Sequence, residues 1–320
     1  DIETGVERFG PRDSELQCIV PAFRLLSLSA TGRHMKGAFR LAPEDHKHPI
    51  VAKRLHAEKA LELHTLKSDE SLSEALANEA WKLTENGSAG IRCLVFCNAR
   101  KTAEDCAERL RKLGRTPGLV GAVEVELLVG GRRVFERTEA QTKLRELGFL
   151  AGSSGNGAGP AFLVATSAGE VGVDLDADHM VCDLVTWERM IQRLGRVNRR
   201  GERSAKIRVL IEPPPAPTKA QEQAEARKAS GRELSKKDIT VLENLAEERR
   251  KWKANQAPFQ LLPEQGRSID VSPLALTLLK ESVLEDEKIN KIIAEATTKA
   301  PLRPALSRPL IDSWAMTSAE

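Results

Sequence analysis

Two spacings of apolar residues alternate along the chain. Residues 91–97 (IRCLVFC), 123–130 (VEVELLVG), 161–167 (AFLVATS), 179–185 (HMVCDLV) and 206–212 (KIRVLIE) are short, nearly continuous apolar runs, the pattern of buried strands. Between them the spacing turns helical. Ala103, Cys106, Ala107, Leu110 and Leu113 recur at i, i+3, i+4 and i+7 behind Asn98, and helices are also predicted over residues 138–147 and from about Trp187. Strands that alternate with helices imply parallel βαβ units, an α/β fold with a doubly wound sheet.

The flanks read differently. Residues 22–29 (AFRLLSLS) predict a further buried strand that ends in a turn at Ala30, Thr31 and Gly32. Over residues 50–83, Leu55, Leu61, Leu63, Leu66, Leu72, Leu76 and Trp81 punctuate a charged pattern that predicts two helices joined near Ser68 and Asp69. Residues 151–160 (AGSSGNGAGP) predict a surface loop, and the proline run at 213–217 closes the α/β unit. Beyond it, residues 218–255 read as charged helix broken at Ser230 and Gly231, before a proline-interrupted remainder.

Composition narrows the class without deciding it. With 320 residues, 41% of them hydrophobic, the chain can bury one substantial core and an appendage. A formal charge of +3 is too mild to announce nucleic-acid binding, so any basic surface must come from local clustering. Cys18, Cys93, Cys97, Cys106 and Cys182 show no CxxC pairing, which points to reduced thiols and away from disulfides or a zinc site. No long apolar run and no signal pattern occur, so the expectation is a cytoplasmic protein with no membrane partner. The first residue is Asp1, not Met, and a fragment of something longer is expected.

The chemistry concentrates at residues 187–201, WERMIQRLGRVNRRG. Wound as a helix, this segment puts Met190, Leu194 and Val197 on one face and Gln192, Arg196 and Arg199 on the other. Guanidinium forks one turn apart suit a polyphosphate, whose charge they neutralise during phosphoryl transfer. The bland alternative is a solvated basic helix face.

Residues 192–199 (QRLGRVNR) resemble motif VI, QRxGRxxR, of DEAD/DEAH-type helicases of superfamily two. The resemblance implies that Arg196 and Arg199 act as fingers on ATP, with Gln192 beside them and Arg193 near the nucleotide. Residues 165–174 (ATSAGEVGVD) are similar to motif V: Thr166 would touch a strand phosphate, Asp174 would lie near the nucleotide ribose, and Gly172 would belong to the nucleotide-binding set. Asn98, followed by Lys101, resembles motif IV, where Asn98 would hold a backbone phosphate or simply cap the helix. Ser29, Ala30 and Thr31 match the coupling motif III. Arg132 and Arg137 stand where the family binds the strand, or in a solvated basic loop.

The spacing from Thr166 to Arg199, with Glu170 and Arg189, is most similar to the CRISPR-associated type I helicase-nuclease, over roughly residues 22–212. Residues 270–274 and 311–318 look like the linker region of the subtype whose nuclease follows its helicase. The fold thereby implied is the second RecA-like domain with a mainly helical C-terminal extension. The implied division is the end of the first RecA-like domain and a linker over 1–49, the second RecA-like domain over 50–212, a charged helical linker over 213–256 and an extension over 257–320. The implied ligand is ATP with Mg²⁺, held mainly by the other motor domain; the implied partners are single-stranded DNA and a guide-RNA surveillance complex.

Two departures qualify this. The sequence holds no GxxxxGK[ST] phosphate loop and no DExH box, so hydrolysis by this stretch alone is not expected. It holds no His-Asp dipeptide, and His34, His46, His48, His56, His64 and His179 form no evident ligand set, so no metal is expected on them. A cellular DEAH-type RNA or DNA helicase and a non-catalytic nucleic-acid-binding relative remain as alternatives.

Overall fold

The computed structural model describes residues 41–119, 121–130, 134–153, 159–170 and 173–298, with the backbone alone for 134–138. The expected strand at 22–29, the Ser29-Ala30-Thr31 motif, Gly172, Arg132, the Arg137 side chain and the segment 311–318 lie outside the described residues.

Five strands form where the apolar runs predict them: β2 (Arg92–Phe96), β3 (Glu124–Leu128), β4 (Ala161–Ala165), β5 (His179–Asp183) and β6 (Ala205–Ile211). The helices between them are α3 (Arg100–Leu113), α4 (Val134–Glu146) and α5 (Trp187–Leu194). Residues 50–83 depart from expectation. They form α1 (Pro49–Leu55), the strand β1 (Lys59–Thr65) and α2 (Leu72–Leu83), not two helices. Lys, Ala, Leu and Glu favour helix intrinsically, but KALELHT also alternates with a period of two. A full parallel ladder, Lys59↔Ala205 to Thr65↔Ile211, makes that weaker pattern win.

The chain continues as α6 (Lys219–Ala229) and α7 (Lys236–Gln256), each opened by a capping box, at Thr218/Gln221 and Ser235/Asp238. A hairpin of β7 (Glu264–Gln265) and β8 (Ser268–Asp270) follows, then α8 (Pro273–Glu285) and α9 (Glu287–Ala296).

Among the described residues one sheet runs β3-β4-β2-β5-β6-β1-β8-β7. The first six strands are mutually parallel, and the hairpin adds antiparallel to β1 through Ala60↔Asp270 and Leu61↔Ile269. Strand parity sorts the core into two layers. Cys93, Val95, Phe162, Val164 and Val181 face α2 and α3, packing on Leu76, Ala80, Cys106 and Leu110. Leu94, Phe96, Leu163, Ala165, Met180 and Cys182 face the other way, onto Leu144, Met190 and Leu194. Helices on both faces of a mainly parallel sheet make the doubly wound α/β architecture.

The expected boundaries at 212 and 256 do not separate folding units. Phe259, Leu262, Val271, Ala275, Leu279 and Ala296 are buried in the same layer as Met190 and Leu194, and Trp187 meets Phe259 edge-on at 5.5 Å. Trp252 Nε1 donates to Glu212 O (2.8 Å), which straps α7 to the end of β6. All the described residues fall in one compact unit, Gly37–Thr298. The hydrophobic reason is that β1 and the face beneath it would otherwise be exposed.

Candidate functional site

The site begins where β2, β4 and β5 end. In a parallel sheet all three C-terminal ends open on one edge, where Asp183 ends β5 and the loops leaving β2 and β4 carry Asn98 and Thr166. Behind Thr166 the backbone makes a 3₁₀ turn, Ser167–Gly169, pressed onto the sheet. A Cβ on Gly169 would stand 2.9 Å from Ala165 Cβ and 3.1 Å from Phe96 Cε1, so the close approach needs glycine. That turn delivers Glu170 inward.

Glu170 and Asp183 are the buried anions of the site, 3% and 5% exposed. Arg193, fully buried, joins them: Nε donates to Glu170 Oε1 (2.8 Å), and Nη1 donates to Asp183 Oδ1 (2.7 Å) and Asp183 O (2.8 Å). Its Nη2 has no hydrogen-bond partner, but the guanidinium carbon lies 5.1 Å from the Phe96 ring centroid, whose face compensates part of the charge. Burial by itself lowers the Arg193 pKa, and Cys182, Asp183 and Glu170 reverse that, so it stays charged. Burial likewise raises the Glu170 pKa, and the hydrogen bonds from Arg189 and Arg193 override it, leaving the carboxyl below its usual range.

Arg189 adds a second guanidinium to the same carboxylate, with Nε to Glu170 Oε2 (2.9 Å) and Nη2 to Oε1 (2.8 Å). Its Nη1 reaches Asn98 Oδ1 (2.6 Å), while Asn98 N donates to Asp183 Oδ2 (2.6 Å). Asn98 is therefore not the N-cap of α3. Ala99 occupies that position without a side-chain bond, and Asn98 is turned toward the network.

Arg196 and Arg199 are not on the helix face where their spacing put them. The helix stops at Leu194, with Gly195 as C-cap. Buried Lys59 donates Nζ to Leu194 O (2.7 Å), satisfying a carbonyl that the helix leaves orphaned. Asn198 then takes a left-handed φ of 42° and donates Nδ2 to Glu58 O (3.0 Å), and its N bonds Ala177 O (2.9 Å). These contacts throw the arginines off the helix into a fixed turn. Arg196 Nη1 and Nη2 donate to Val173 O (2.9 Å) and Glu170 O (2.6 Å). Arg199 N donates to Asp176 Oδ1 (2.9 Å), and its guanidinium pairs with Asp174.

The expected site residues thus separate. Arg196, Arg199 and Asp174 come together at the turn, and Asn98 and Thr166 at the strand ends, with Thr166 itself buried. Gln192, half-buried, lies on α5. Arg193, expected near the nucleotide, is placed differently from Arg196 and Arg199. A side chain with no exposed surface, committed to Asp183 and Glu170, offers a nucleotide nothing in this conformation. Asp183 and Lys59, which hold Arg193 and the end of α5, belong to no motif; a lysine and an aspartate set in apolar strands are the signals they leave in the sequence. Cys93, Cys97, Cys106 and Cys182 are free and buried, and no group of three or more His, Cys, Asp or Glu among the described residues could hold a metal ion. No helix among the described residues is long and apolar enough to cross a membrane.

Residues 89–202 match the family model described as CRISPR-associated nuclease/helicase Cas3, C-terminal. No curated protein matches the chain. Among solved structures, the chain is similar to T. fusca Cas3 with AMPPNP, at 18% identity and a TM-score of 0.45 over 75% of this chain and 26% of that one. It is also similar to a chain of a CRISPR RNA-guided surveillance complex, pre-nicking, at 17% identity and 0.43 over 75% and 28%. S. cerevisiae Dbp5 L327V bound to RNA and ADP BeF3 follows at 17% and 0.34 over 74% and 46%. The chain spans about a quarter of the length of the Cas3 chain it is compared with. All four arginines of the site lie inside the stretch, residues 89–202, that is similar to the C-terminal part of the CRISPR-associated nuclease/helicase Cas3.

Proposed function

We propose that this chain is the C-terminal motor part of an ATP-dependent translocase on single-stranded DNA, acting in type I CRISPR degradation of foreign DNA. One observation carries the reading: Arg196 and Arg199 are fixed in place by the turn, yet tethered only to exchangeable acceptors. Arg199 is half exposed and its partner Asp174 more so, and an ion pair of that kind is worth about 0.2–1 kcal/mol. A triphosphate offers both guanidinium groups a stronger acceptor than a carbonyl or a solvated carboxylate.

ATP and Mg²⁺ would rest on a nucleotide-binding domain that supplies the phosphate loop, and this chain would close over them. Arg196 and Arg199 would then neutralise charge on the γ-phosphoryl group, with Asp174 released toward the ribose. Asn98, Thr166 and the start of α3 would hold strand phosphates by contacts indifferent to sequence and sensitive to salt. A guide-RNA surveillance complex would deliver the strand.

The test is single-turnover ATP hydrolysis by the full-length protein, with and without single-stranded DNA, in wild type and Arg196→Ala. Loss of the finger is expected to cost about 10³-fold or more in rate. A rate indifferent to Arg196 overturns the reading and leaves a nucleic-acid-binding scaffold in its place.

A further inference from the structure

We propose that Arg189 is a positioning residue that ties occupancy of the strand side of the site to the tether on Arg196. The inference rests on the motor reading above and adds a residue to it. Its basis is one hydrogen-bonded run: Asn98 Oδ1 accepts from Arg189 Nη1 (2.6 Å), Glu170 Oε1 and Oε2 accept from Arg189 Nη2 (2.8 Å) and Nε (2.9 Å), and Glu170 O accepts from Arg196 Nη2 (2.6 Å). Asn98 is exposed and the Arg189 side chain is 28% exposed, whereas Glu170 is buried. The run therefore starts at the surface that would meet a strand, passes through one interior residue, and ends on the turn that would meet the nucleotide.

Arg189 has the chemistry for the first step. Three of the five N–H donors of a guanidinium are used in these bonds, which leaves donors on its terminal nitrogens for a phosphodiester oxygen beside Asn98. A phosphate is a stronger acceptor than the Asn98 amide, so its arrival draws the guanidinium outward and reorients the carboxylate it grips. The second step follows from covalent geometry. Glu170 holds Arg189 on its carboxylate and Arg196 on its backbone carbonyl, and the glycine before it packs on the sheet where a Cβ would not fit, so a pull on the carboxylate bears on a closely packed turn. Glu170 keeps one guanidinium without Arg189, since Arg193 pairs with the same Oε1 from the fully buried side. Arg189 is thus the member of the network whose removal leaves the interior Arg193–Glu170 pair in place and cuts the run from Asn98 to Glu170.

The experiment measures ATP turnover by the full-length protein at saturating nucleotide, with and without single-stranded DNA, in wild type, Arg189→Ala, Arg189→Lys and Arg196→Ala, with thermal unfolding of each as a control. Wild type is expected to be stimulated by the strand. Arg189→Ala is expected to lose stimulation by about tenfold, within the usual range of coupling between sites, with the KM for ATP unchanged. Arg189→Lys keeps the charge but not the fork that spans Glu170 and Asn98, so it is not expected to restore stimulation. Retained stimulation in Arg189→Ala, or an equal fall with and without strand, overturns the proposal while leaving the motor reading standing. An unstimulated wild type, or a rate indifferent to Arg196, overturns the motor reading and this inference with it.

Discussion

Arg193 and Arg199 sit in one motif, yet their surroundings give them opposite energetic roles. Arg193 has no exposed surface and is shared between Asp183 and Glu170, so its truncation leaves buried Asp183 without its cation and Glu170 with Arg189 alone. Arg193→Ala is expected to destabilise the fold by about 3–5 kcal/mol, read from the urea midpoint. Arg199→Ala removes only an exposed pair with Asp174 and is expected to change stability by less than about 1 kcal/mol in the same assay. Glu170 contributes to the acid side of the stability curve. Its folded pKa lies below the unfolded value of 4.5, so it stabilises the fold above that value, and the contribution is lost as pH falls through the lower folded value. Below pH 4.5 the urea midpoints of wild type and Glu170→Gln are expected to converge.

At the scale of elements, strand β1 decides how the arginine turn is built. Lys59 buries its amine against the end of α5, where the helix dipole favours a cation, but desolvation brings its pKa down to about 8. A lysine whose folded pKa lies below the unfolded 10.5 makes the charged form costly in the fold. The unfolded chain binds more protons between those values, so the contribution of Lys59 to stability rises from pH 8 to 10.5, by about 3 kcal/mol at the outside. Lys59→Met is expected to flatten that rise in the unfolding midpoint. The other end of the turn depends on Gly201, at φ 67°, where a Cβ would stand 2.1 Å from Lys53 O. Gly201→Ala is expected to cost more than the usual 1 kcal/mol of a strained glycine site, and to lower strand-stimulated ATP turnover by displacing Arg199.

On the scale of the molecule, the stretch after the proline run is part of the core. Strand β8 covers β1, and Phe259, Ala275 and Leu279 cover the layer that holds Trp187 and Met190. Ending the chain after Gln256 would expose that layer and the edge of β1. Loss of cooperative unfolding and aggregation on size exclusion are expected from such a truncation, where a detachable extension would leave the thermal transition of the sheet unchanged.

The five parallel strands and the helices among them were legible because strands buried on both faces leave unbroken apolar runs, a pattern that needs no partner to be read. The identity of Arg196 and Arg199 was legible for a similar reason, since a motif is a local spacing. Strand β1 was not. Its residues favour helix, and only the ladder to β6, far along the chain, overrides them. Nor was the fate of each arginine. Local spacing says that a guanidinium is present, but its exposure depends on which carboxylates and carbonyls distant segments bring to it, Asp183 and Glu170 to Arg193, Glu58 and Lys59 to the turn. The sequence by itself determined the order of the elements and the places of the arginines along the motif. Only the tertiary structure decided which of those charges face outward, because burial and ion pairing are properties of segments far apart in the chain.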